Sequence, residues 1–258
     1  MTVLGALVGT SVVVYVLHHG NMLQFLLNGE AIILIFGGTL GSVLISYPWD
    51  ALRHVRSAVM LVIFPPKRPG ATVLIATFMR LAEKARRQGL ESLAPEAGAA
   101  DHPFLADGLQ MLGDGLEREV LQERFERDIL ATRQRHMQLS GIFRAAGTFS
   151  PIFGLLGTLI GVVQVLRNIT NPSAMGSAMA VAMTASFYGI FAANFVFLPV
   201  ANKLNYYSEE EMLNRELIAR GILCLLDGAS PWLVARKLEA YMSFHLRRAG
   251  AKRYKVPA

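Results

Sequence analysis

The residues with the most suggestive spacing lie in one apolar run, Ser150–Val163, which reads SPIFGLLGTLIGVV. Pro151 cannot donate a helical hydrogen bond, so it frees a carbonyl one turn back. Thr158 follows seven residues later, and a second apolar run carries Thr184 and Ser186. Hydroxyls and a freed carbonyl inside a membrane helix could line a cation path. A threonine there more commonly bonds back to its own backbone. A path for protons or cations also needs an ionisable carrier, usually a carboxylate. Neither run contains one, so either the chain does not conduct or a partner supplies the acid.

The same runs are rich in small residues. Gly154, Gly157 and Gly161 are positions of close approach, the last two in GxxxG spacing. Ala178, Ala182 and Ser186 form one stripe; Ala185, Gly189 and Ala193 form another. Two readings stand for these stripes: packing within one subunit, and packing around a helix of another chain.

What must position these groups follows from the charge distribution. The 258 residues are 53% apolar and only 17% charged, with a mean hydropathy of +0.39. Soluble domains carry nearer a quarter charged residues, so an ordinary soluble enzyme is disfavoured. Of 25 Lys and Arg, 13 lie between Ala51 and Ser140 and 10 between Ala201 and Ala258. Four nearly charge-free stretches remain: Met1–Leu17, Ala31–Tyr47, about Ile142–Leu166 and about Ala174–Val200. Crossing a hydrocarbon core takes roughly 20 residues. The last two stretches reach that length, and the first two do so with their flanks. Met1–Leu17 lacks a basic leader region and a small-residue cleavage site, so it reads as a span rather than a signal peptide.

The links Gly20–Glu30 and Asn168–Ser173 carry no Lys or Arg. The positive-inside rule therefore places the long loop, the tail and both termini in the cytoplasm. The net charge of +6 becomes a topology signal, not a nucleic-acid footprint. The expected fold is an all-α integral membrane protein with four transmembrane helices. Its parts are residues 1–50 (spans one and two), a helical cytoplasmic loop 51–140, spans three and four in 141–201, and cytoplasmic helices with a basic tail in 202–258.

Within the loop, Ala71–Gly89 is predicted to be an amphipathic helix burying Val73, Ile75, Phe78, Leu81, Ala82 and Ala85. Leu93–Pro103 reads as a loop. A helix from about Gly115 runs on into the third span, with a stripe of Val120, Phe125, Ile129 and Leu130. The fourth span extends past Pro199 without a stop signal. Asp227–Pro231 reads as a helix C-cap followed by a new N-cap, opening a last helix, about Pro231–Phe244. The basic tail beyond it suits anionic lipid. The one cysteine, Cys224, excludes an internal disulfide. No metal-ligand spacing, phosphate loop or nucleophile motif is present, so no cofactor, metal or catalytic residue is expected.

The run SPIFGLLGTLIGVV, the run Ala180–Leu204 (AVAMTASFYGIFAANFVFLPVANKL), and the segments Lys84–Leu93 (KARRQGLESL) and Ile33–Gly41 (ILIFGGTLG) together resemble the MotA/PomA family of flagellar stator subunits, within the wider MotA/TolQ/ExbB superfamily. The resemblance covers essentially the whole chain. It implies a homopentamer in the bacterial inner membrane, around two copies of a MotB/PomB-type partner with one span, an ion-binding Asp and a peptidoglycan-binding domain. That partner would supply the missing acid. H+ or Na+ flow would then turn the motor, with rotor protein FliG as the cytoplasmic partner.

Carried over residue by residue, the resemblance makes Pro151 and Pro199 coupling prolines and puts Gly154, Thr158 and Ser186 along the ion path. Gly157, Gly161, Ala182 and Gly189 become packing positions. Thr at 158 is the sodium-type choice; Ser186 and Ala185 replace threonines of sodium-type members. Arg86, Arg87, Glu91 and Glu96 are the rotor-side candidates. The family's acidic partner of Arg86 would fall at Ala94, a departure that keeps a non-flagellar, TolQ/ExbB-like motor for envelope transport or gliding as the alternative.

Overall fold

A computed structural model of the chain describes residues 2–20, 28–65, 69–100 and 102–241. Among these, all regular structure is helical. The basic tail and the end of the last predicted helix lie outside the described residues, as does most of the first polar link.

The helices are α1 (Thr2–His19), α2 (Gly29–Ser46), α3 (Trp49–Leu52), α4 (Val55–Ile63), α5 (Ala71–Gln88), α6 (Pro103–Gly113), α7 (Arg118–Arg167), α8 (Pro172–Leu226) and α9 (Pro231–Leu238). Stretches of α2, α7 and α8 are long and apolar enough to cross a membrane; in α1 the apolar stretch Leu7–His19 is shorter. Both α2 and α8 contain a π-helical turn, Ile33–Gly37 and Ala192–Phe197.

The chain divides into two compact units. The first joins Met1–Pro65 to His136–Tyr206. Its interior is thin. Ala31 and Ile35 of α2 pack on Ala185 of α8, and Val43 packs on Ile142 and Ala146 of α7. From α4, Ala58 and Val62 meet Phe143, Ala201 and Leu204. Gly38 lies under the Phe153 ring and Gly9 of α1 under Phe195. Large apolar side chains face outward: Leu155, Leu159 and Val163 on α7, Met183 and Ile190 on α8, Ile45 on α2. Soluble monomers rarely expose so much contiguous apolar surface.

The second unit joins Pro66–Arg135 to Tyr207–Ala258 and has an ordinary globular core. Phe78 of α5, Leu93, Leu109 of α6, Leu121 and Phe125 of α7, Ile222 of α8 and Val234 of α9 are nearly or fully buried in it. The Phe78 ring presses on Gly221 so closely that a methyl group there would stand 2.5 Å from the ring. The rings of Phe104 and Phe125 meet at 5.3 Å, and the Arg215 guanidinium lies 4.9 Å over the Phe104 ring. Phe78→Ala should lower the stability of this unit by about 3–5 kcal/mol, the usual cost of emptying a buried aromatic site. Thermal unfolding of the purified chain checks it; a loss below about 1 kcal/mol would refute the close fit.

Several expectations need correction. The stripe on α7 holds at Phe125, which is buried, and at Ile129, which packs on the core, but Val120 and Leu130 are exposed while Leu121 and Thr132 are buried. On α5, Leu74 is buried and Val73 exposed. The expected loop after Leu93 is a 3-10 helix, Leu90–Ala99. The last helix ends at Leu238 and passes into a 3-10 turn, Glu239–Tyr241. The α7 helix does run unbroken through Pro151. The stop and restart also stand: Gly228 has φ +67°, and the Ser230 hydroxyl accepts from the Leu233 amide at 3.4 Å.

Candidate functional site

The polar and small residues of the two predicted inner spans come together where α7 crosses α8. The contact is backbone against backbone. A methyl group at Gly189 would stand 2.7 Å from the Ser150 carbonyl oxygen, 3.1 Å from Gly154 Cα and 3.2 Å from Pro151 Cα. One at Gly154 would meet the Ala185 carbonyl at 3.2 Å. Further along, Gly157 receives the Ala185 methyl, and Gly161 that of Ala182. Glycine is required because the nearest atom at each position is backbone or an alanine methyl fixed to it.

The fully buried Ser150 hydroxyl donates to the Gly189 carbonyl at 3.1 Å. It ties the two helices together at this crossing. Sequence reasoning missed Ser150; a hydroxyl directly before a proline in a small-residue run was the available signal.

Pro151 is half-buried beside this bond. It leaves the Gly147 carbonyl without its helical donor. Thr158, also half-buried, donates to the Leu155 carbonyl at 2.6 Å. Its hydroxyl thus turns toward its own helix, as threonines in apolar helices usually do. Ser186 is half-buried, whereas Thr184 and Ala185 are buried. Ala185 fits between Gly157 and the α2 residues Ala31 and Ile35, where a larger side chain would have no room.

Pro199 is exposed and lies two residues beyond the π-turn of α8. A proline ring in a regular helix clashes with the carbonyl four residues back. The wider π-turn relieves that crowding. Within it, the exposed Asn194 donates to the Ile190 carbonyl at 2.9 Å.

The predicted rotor-side residues lie in the second unit. Arg86 and Arg87 close α5, which stops at Gly89 with φ +84°. Arg87 pairs with Glu83 at 2.6 Å, one turn back. Arg86, Glu91 and Ala94 are exposed. Glu96 is different: its side chain is only 19% exposed and lies between Lys84 at 2.6 Å and Arg80 at 3.3 Å. The Lys84 hydrogen bond holds its carboxyl below the usual glutamate value; burial opposes it, and the charges of Lys84 and Arg80 add to the lowering. Lys84 and Arg80 were not foreseen in this role, although their four-residue spacing puts both on one helix face. Burial pushes the Cys224 thiol up. Among the described residues no His, Cys, Asp and Glu cluster is placed to hold a metal.

The MotA/TolQ/ExbB proton channel family matches residues 96–217. The chain is 33% identical over 246 residues to chemotaxis protein PomA of Vibrio alginolyticus, covering 94% of each. It is 32% identical over 223 residues to motility protein A of Bacillus subtilis, covering 86% of this chain and 83% of that one. Among solved structures, a chain of the flagellar MotAB stator complex from Bacillus subtilis superposes with a TM-score of 0.88 at 31% identity, over 97% of both chains.

Proposed function

The chain belongs to the MotA/TolQ/ExbB proton channel family, and from that membership we infer that it is a stator subunit of the bacterial flagellar motor. It crosses the inner membrane four times, with α1, α2 and the apolar parts of α7 and α8. The second unit and both termini are cytoplasmic. Apart from Glu30 in the first turn of α2, the spans hold no carboxylate, so the chain works with a partner that brings one. The partner is a MotB/PomB-type subunit with one span, two copies of which sit within five copies of this chain. The outward apolar faces of the first unit suit lipid and neighbouring subunits.

Cation flow past the partner's acid turns the ring, and the end of α5 pushes the rotor protein FliG. The observation that carries this reading is the α7–α8 crossing. It is a backbone-tight, acid-free pair with Pro151, Thr158 and Ser186 beside it.

The test is motility. The chain, co-expressed with its genomic partner, should restore swimming to cells that lack their own stator. In the same cells Thr158→Ala should weaken dependence on sodium, read as swimming speed against sodium concentration. Motility of the parent that is indifferent to sodium would reject the sodium assignment and leave protons as the driving ion. Ala94 favours one other reading, a non-flagellar motor for envelope transport or gliding. A partner chain without a peptidoglycan-binding domain would decide for it.

A further inference from the structure

We propose that Glu96 is a positioning residue: held between Lys84 and Arg80, it clamps the 3-10 helix Leu90–Ala99 onto α5 and so fixes where Arg86, Glu91 and Ala94 stand. The inference rests on the stator reading for its consequence in motility, and on geometry alone for the clamp.

The chain reverses at Gly89 and lays this segment back along α5. Ten residues of 3-10 helix is a long run for a conformation with poor hydrogen-bond geometry, and it needs outside support. Three contacts supply it. Leu93 is fully buried in the core. Ala94, though exposed, has its methyl group over Gly113, where an added Cβ would stand 2.8 Å away. Glu96 then engages both carboxylate oxygens, Oε1 with Lys84 and Oε2 with Arg80.

A carboxylate with both oxygens occupied is badly placed to meet a passing rotor, because its internal pairs would have to break first. The other charges at this end of the unit are of another kind: Arg86 and Glu91 are exposed and held by neither clamp residue. Partly exposed ion pairs contribute modestly. That suffices here, because Leu93 and Ala94 already fix the rest of the segment. The acid nearest Ala94 on its C-terminal side therefore stands two positions along the chain and is turned inward.

Three variants of the full-length chain, purified in nanodiscs and also expressed in motile cells, decide the matter: Glu96→Gln, Lys84→Glu, and the exchanged pair Lys84→Glu with Glu96→Lys. Amide hydrogen exchange of residues 90–99 should quicken about threefold in each single variant, while the core amides of Leu74–Ala82 keep their rates. Swimming should slow in parallel. In the exchanged pair the carboxylate stands on α5, one turn from Arg80, and faces an ammonium on the 3-10 segment. Both exchange and swimming should then return toward the parent values. Unchanged exchange with lost swimming would overturn the proposal and make Glu96 a direct rotor contact. Failure of the exchanged pair to restore either readout would also overturn it. A chain that supports no motility in any form would reject the stator reading and leave the exchange result to judge the clamp by itself.

Discussion

Gly189→Ala is expected to abolish motility and to destabilise the membrane unit, although it adds a single methyl group. That methyl would sit 2.7 Å from the Ser150 carbonyl oxygen and 3.1–3.2 Å from two Cα atoms of α7. Comfortable carbon contacts are about 3.5–4.0 Å. All three obstacles are backbone, so relief comes only from parting the helices. Parting them stretches the Ser150–Gly189 hydrogen bond, 3.1 Å in the parent, and leaves a buried hydroxyl unpaired. Overpacking of this kind typically costs about 1–3 kcal/mol, and the lost bond adds to it. Gly176→Ala in the first turns of the same helix is the control, since nothing lies within 4 Å of its added methyl. Thermal unfolding in detergent and swimming assays should separate the two variants cleanly. Parent-like melting and swimming in Gly189→Ala would show that the crossing is not tight.

Pro151→Leu should have the opposite signature: at least about tenfold lower torque with stability kept or raised. Leucine restores an amide that can reach the Gly147 carbonyl, and removing a mid-helix proline relieves on the order of 3 kcal/mol of strain. Nothing in the packing of α7 demands proline, because the position is half-buried and the helix continues unbroken through it. On the proposed function, a residue that weakens its own helix at this crossing serves motion rather than stability. Bead-rotation torque set beside the melting temperature tests this. Torque equal to the parent's would remove Pro151 from the coupling mechanism, and a lower melting temperature would make it a packing residue instead. Pro199→Leu, on the far side of the π-turn, should follow the same pattern.

Particular residues show how far the sequence could be read and where it fell short. The crossing itself was legible. Glycines and alanines at three- and four-residue spacing have few uses in an apolar helix other than close approach, and Gly154, Gly157, Gly161, Ala182 and Gly189 all occupy it. The phase of the α7 stripe was legible only in part: Phe125 is buried as expected and Val120 is not. Val120 and Leu121 are adjacent and both apolar, and choosing between them requires Phe104 and Ile222, which belong to other helices. The same one-residue ambiguity separates Val73 from Leu74. The π-turns leave no periodic trace, because one added residue per turn looks like ordinary drift. The 3-10 helix is hidden for another reason: Pro95 and Gly98 signal a loop, and only Leu93, Gly113 and the Glu96 ion pairs make it regular. α4 and α6 were passed over because each is short. The full count of spans rests on α1, whose apolar stretch is the shortest.

The buried Cys224 has a practical consequence. Thiol reagents attack the thiolate, and a core thiol whose ionisation is suppressed offers them little. The natural chain is therefore close to a silent background for labelling chemistry. A cysteine introduced at an exposed position such as Arg86 or Ala94 would be the one reactive handle on the chain. A fluorophore or cross-linker could be placed at the proposed rotor side without first engineering out the native thiol and disturbing the core around it.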